Sequence, residues 1–172
     1  MAYKNKTYIC FDADTDMHWY RLMTAWKQND DTDFNFYDAH DLNNIWANST
    51  EETIKRRLRE RLVNTKTFII LIGEKTRHLY KYVRWEAEYA VEHDLPIIAV
   101  NLNKKRRVDA DRCPPIVRDN LAIHIAFGLH IVQYALDRWE TRHAELRKAG
   151  EAGNYHYPDS VYKQLVVSHT RS

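Results

Sequence analysis

The sequence predicts an open, doubly wound α/β fold in three layers, with five parallel strands in the order 2-1-3-4-5 and helices on both faces. Two observations predict it. Residues 67–101 hold two short, β-branched-rich apolar runs (67–72 and 96–101) on either side of a segment with helical period (79–93), which is a βαβ unit. A crossover of that kind is right-handed and makes the sheet parallel. Strand and helix patterns also alternate along the rest of the chain. A single domain over residues 1–172 is expected, with its core over about 5–130 and a C-terminal helix and docked tail over 128–172.

The first strand is expected at 6–11 (KTYICF), followed by the polar loop 12–16. Trp19, Leu22, Met23 and Trp26 recur at helical spacing, which predicts an amphipathic helix over 16–27. A polar connection leads to a second strand at 34–38. The loop that follows is about a dozen residues long, a length usually reserved for function in a compact domain. Ser49 and Glu52 form a capping-box pattern, after which Ile54, Leu58 and Leu62 mark the inner stripe of a helix. Beyond the βαβ unit, Pro114 and Pro115 break the charged loop 104–115. Leu121, Ile123, Ile125 and Phe127 alternate as a fifth strand, with His124 on the opposite face. A long helix over 128–149 then presents Leu129, Val132, Leu136, Trp139, His143 and Leu146 on one stripe and stops at Gly150. Tyr155, Tyr157, Tyr162 and Leu165 make the tail apolar enough to dock.

Charge is nearly balanced, 26 basic against 24 acidic residues, so no global field argues for nucleic acid or a membrane surface. Lys55, Arg56, Arg57, Arg59 and Arg61 could form a phosphate or nucleic-acid face, but Glu51, Glu52 and Glu60 are interleaved with them, which fits the solvated side of a sheet-packing helix better. No apolar leader or membrane-length run is present, and Cys10 and Cys113 do not form a disulfide framework, so a cytoplasmic protein is expected.

Residue types exclude several chemistries. A phosphoacceptor receiver site needs an aspartate at the end of the third strand, where Leu71, Ile72 and Gly73 stand. A dinucleotide cradle needs glycines after the first strand, where the turn reads DADTD. The nine histidines show no ligand spacing, so no metal is expected. Cys10 should be buried, and Cys113 has no nearby base. What remains is a carboxylate working alone, Glu86. At about 100° per residue the inner stripe of its helix is Leu79, Val83, Ala87 and Ala90, and Glu86 falls roughly 60° off it, at the edge between core and solvent. Tyr82, Tyr89 and His93 share that flank. A half-desolvated carboxylate there would stabilise a developing positive charge, or it would simply pair with a neighbouring loop or cation.

The runs LIGEKT (71–76), YVRWE (82–86) and PIIAVNLN (96–103) resemble the TIR-like branch of the flavodoxin-like folds, as found in antiphage defence systems of the Thoeris type. Arg21 to Trp26, the triplet Phe36-Tyr37-Asp38 and the helix after Ser49 extend the likeness. TIR enzymes often carry a glutamate that ends a Trp-x-x-x-Glu motif; here Tyr82 replaces the tryptophan and Glu86 is the glutamate. The resemblance implies an enzyme that releases nicotinamide from NAD and forms a cyclic or conjugated ADP-ribose signal for a separate effector protein. NAD is then substrate, and no cofactor is implied. Glu86 would be catalytic. Phe11, Asp12, Asp38, Asp41, Asn43 and Tyr82 would bind substrate. A homo-oligomer and a phage-protein trigger also follow from the resemblance, with Trp85 as a possible contact surface. The alternative is a non-enzymatic TIR-like interaction module in which Glu86 is structural.

Overall fold

The computed structural model describes residues 6–29, 37–38, 49–79 and 81–170, with backbone alone at 37 and 38. Its sheet is all-parallel with strand order β2-β1-β3-β4-β5-β6. The strands are β1 (Lys6–Cys10), β2 (Tyr37–Asp38), β3 (Thr67–Ile72), β4 (Ile97–Asn101), β5 (Ala122–Ala126) and β6 (Asn154–His156). The helices are α1 (Met17–Gln28), α2 (Glu51–Leu62), α3 (Tyr82–Glu92), α4 (Pro115–Arg118), α5 (Leu129–Lys148) and α6 (Asp159–Thr170). The predicted α/β class and the order 2-1-3-4-5 are present, with a sixth strand added outside β5.

Side-chain alternation divides the core between two faces. Ile9, Ile69, Leu71, Ile98, Val100, Ile123 and Ile125 meet α1, α5 and α6, and Trp139 is the largest fully buried side chain there. Tyr8, Cys10, Phe68, Ile70, Ile72, Ile97 and Ala99 meet α2, α3 and α4. Because β3 and β4 are covered on both sides, all their residues are buried, which explains their unbroken apolar runs.

Several element ends differ from expectation for local reasons. Thr50, not Ser49, caps α2, its hydroxyl accepting from Thr53 N–H at 3.3 Å. The helix expected from residue 79 begins at Tyr82, because residues 76–78 form a 3-10 turn after Gly73. There Gly73 N–H donates to Thr76 Oγ1 at 2.8 Å. Pro115, read as a break, opens the short α4, where its missing N–H costs nothing. The tail contributes β6, whose residues are at most half-buried, so no apolar run announced it. It closes the outer edge of β5, with Ala122 opposite Asn154 and His124 opposite His156. The tail then docks as α6: Tyr162 is buried, and its hydroxyl accepts from Ala126 N–H at 3.1 Å.

Candidate functional site

Glu86 lies on the inner face of α3 with Val83, Ala87 and Ala90 and is 5% exposed. It was expected at the edge between core and solvent. The correction has a simple cause: α2 packs along α3, with Leu58 and Leu62 near Trp85 and Tyr89, and closes the flank that a lone helix would leave open. Trp85, expected as a contact surface, is half-buried at this seam, with Lys55 Nζ 4.7 Å from its ring centre and Tyr82 edge-on at 5.7 Å.

Opposite Glu86 stands the middle of β1. The Tyr8 hydroxyl donates to Glu86 Oε1 at 2.8 Å, and both side chains are buried. Tyr8 is itself held by a parallel stack on Phe68, with ring centres 5.9 Å apart. Cys10, two residues on and on the same face, points its thiol toward the Val83 carbonyl at 3.9 Å. Burial pushes the Glu86 carboxyl up to about 7 from an ordinary 4.5, against the opposing pull of the Cys10 thiol, the Tyr8 hydroxyl and the Arg61 charge. Burial and the nearby Glu86 raise Tyr8 and Cys10 well above their ordinary values, so both stay protonated.

Phe11, Asp12 and Tyr82, the described ones among the other expected site residues, have different surroundings. Phe11 is buried on the opposite face of the sheet, stacked on Tyr20 with ring centres 4.7 Å apart. Asp12 is buried in its own turn: Oδ1 accepts from Asp14 N–H at 3.0 Å and Oδ2 from Thr15 Oγ1 at 2.6 Å. Tyr82, one helical turn before Glu86, is 41% exposed. Asp38 ends β2, but its side chain, Asp41 and Asn43 lie outside the described residues.

Tyr8 and Asp16 escaped the sequence reading, and Cys10, expected to be buried, was not placed beside Glu86. Tyr8 and Cys10 share a face by simple alternation, but nothing in the sequence says which helix they meet. Asp16 is 6% exposed and sits on Gly73, where a Cβ would lie 2.1 Å from Asp16 Oδ2. Burial, and then the nearby Asp12, raise its carboxyl. Among the described residues no group of three His, Cys, Asp or Glu could hold a metal ion. A groove of about 540 Å³ runs along the α4 flank of α3, between Leu79, Val83, Ala87 and the Pro114–Pro115 corner, and Glu86 does not line it.

A family model described as the TIR-like domain of Thoeris protein ThsB matches residues 8–107, from Tyr8 through Glu86 to the end of β4 and beyond. The chain belongs to this ThsB TIR-like family. The matched segment holds α2, α3 and every described residue named above around Glu86, while α5, β6 and α6 lie beyond it. Among solved structures, a conserved protein from Enterococcus faecalis V583 is similar at 13% identity and a TM-score of 0.42, over 96% of this chain and 98% of that one. That likeness is too slight to inform fold or function. No described helix is long and apolar enough to cross a membrane.

Proposed function

We propose that this ThsB-family protein cleaves NAD at the bond between nicotinamide and ribose, with Glu86 as the catalytic carboxylate, in antiphage signalling. The observation that carries the proposal is the buried Glu86, hydrogen-bonded by Tyr8, with a carboxyl that burial pushes up to about 7. The chemistry suits a single carboxylate. Nicotinamide in NAD is already cationic, so it departs with the bonding electron pair and needs no general acid. The ribose left behind carries oxocarbenium character, which a nearby carboxylate stabilises. Water then attacks the anomeric carbon and loses a proton, or a nucleophile of the adenine or of a second molecule takes its place. The cyclic or conjugated ADP-ribose product would act on a separate effector protein.

In a poorly solvated site the ionised carboxylate interacts strongly with that positive charge. The ionised form of Glu86 prevails above about pH 7. Tyr82, Asp38, Asp41 and Asn43 would contact the substrate, while Phe11 and Asp12 would act by shaping the loop after β1. The proposal includes a cytoplasmic location, assembly into homo-oligomers and a phage-protein trigger.

One observation favours the alternative, a non-enzymatic interaction module: the Tyr8 bond gives Glu86 a complete structural role. Nicotinamide release from NAD by the wild type and by Glu86→Gln separates the two readings. The enzyme reading requires release that the substitution abolishes without unfolding the protein.

A further inference from the structure

Glu86 is held from outside its own helix. Tyr8 reaches it from β1, 78 positions earlier in the chain, through a 2.8 Å hydrogen bond between two buried side chains. The tyrosine ring has little freedom to move, because it is fully buried and lies parallel to Phe68. Its hydroxyl meets Oε1, which restricts the rotation of the carboxyl group about its last bond. A buried carboxylate without such a donor would bear its full desolvation cost.

We infer that Tyr8 is the positioning residue of Glu86, a hydroxyl on the rigid central sheet that orients the carboxylate and supports its negative charge. The inference rests on the reading of Glu86 as the catalytic group and deepens it by assigning what controls that group. Among the described residues, Tyr8 and Cys10 from β1 and Arg61 from α2 act on Glu86. Tyr8 remains a donor throughout the working range, since its own ionisation is pushed well above 10. Hydrogen bonding to the charged form of an acid favours that form, so removing the hydroxyl should leave Glu86 protonated at higher pH.

The test follows the Glu86 carboxyl directly, in the full chain carrying 13C at glutamate Cδ. Its resonance is assigned by its absence in Glu86→Gln, and its pH midpoint is read in the wild type and in Tyr8→Phe. Tyr8→Phe should raise the midpoint by about one unit, a tenfold change in proton affinity. Placing 3-fluorotyrosine at position 8 strengthens the donor and should lower the midpoint, and it keeps the test open if the phenylalanine variant does not fold. Nicotinamide release from NAD is measured on the same samples. Its acid limb should move with the midpoint, so that Tyr8→Phe is most impaired near pH 6 and recovers toward pH 9. An unmoved midpoint in either folded variant overturns the inference. A midpoint that moves as described, with no nicotinamide released by the wild type at any pH, upholds the hold of Tyr8 on Glu86 and removes the NAD-cleaving reading.

Discussion

Asp16 rests directly on Gly73, joining the loop after β1 to the loop after β3. A Cβ at Gly73 would lie 2.1 Å from Asp16 Oδ2 and 2.7 Å from its Cγ, so the approach exists only because residue 73 has no side chain. The two loops meet where the strand order switches direction, between β1 and β3. Oδ2 has no hydrogen-bond partner among the described residues, and burial raises the Asp16 carboxyl.

Gly73→Ala should therefore destabilise the protein by about 1–3 kcal/mol, the usual cost of forcing atoms into a packed site. In an Asp16→Ala background the same change should cost much less, because the obstructing carboxylate is gone. Chemical denaturation of the four proteins in a double-mutant cycle reads the difference. Equal costs in both backgrounds would mean that the contact does not constrain the loop.

Glu86 gives a pH-dependent prediction. Its carboxyl is raised from 4.5 to about 7 in the folded protein, so the native state holds its proton over a range where the unfolded chain has lost it. Stability from this group is full below about 4.5 and is lost as pH rises through 7. Glu86→Gln has no such loss and still offers the Tyr8 hydroxyl an acceptor. The variant should match the wild type near pH 4 and exceed it near pH 8, by roughly 3 kcal/mol at most. Thermal unfolding at both pH values checks the sign.

Trp85 separates a packing role from a partner-binding one. It is half-buried at the α2–α3 seam beneath Lys55, so Trp85→Ala should cost about 1–2 kcal/mol of stability from lost apolar burial. Urea unfolding at several protein concentrations is the check. A loss of self-association at unchanged stability would instead make Trp85 an interface residue.

The docking of α6 depends on Tyr162. Its hydroxyl accepts from Ala126 N–H at 3.1 Å, and Arg106 stacks 4.2 Å from its ring centre while bonding Asp159 at 3.1 Å. Tyr162→Ala should cost about 3 kcal/mol, as truncation of a buried aromatic does, and should free α6. Limited proteolysis would then cut in the 149–153 turn, where Gly150 and Gly153 have positive φ. Tyr162→Phe should cost only about 1 kcal/mol, the value of one hydrogen bond.

Much of the fold was legible because strands buried on both faces show themselves as apolar runs. TFIILI and PIIAVN are β3 and β4 almost residue for residue. The edge strand β6 was not legible, since NYH is at most half-buried and owes its place to β5 rather than to its own composition. Glu86 was placed at the edge between core and solvent, whereas it is buried on the inner face of α3. Helical angles locate a side chain relative to one sheet and carry no knowledge of α2 lying alongside. Tyr8 illustrates the larger limit: alternation is enough to put it on a face with Cys10, while its contact with Glu86 is a fact of tertiary structure alone. Asp12, a substrate-binding residue by the resemblance, has both oxygens hydrogen-bonded within the turn after β1, a contact no motif announces.

The most direct test of the central claim is nicotinamide release from NAD across a pH series, by wild type and Glu86→Gln, in lysates of cells with and without phage infection. The account predicts release that rises through about pH 7 as Glu86 ionises and is absent from the variant at every pH. Equal release by the two proteins, or none from a folded wild type in either condition, would contradict it.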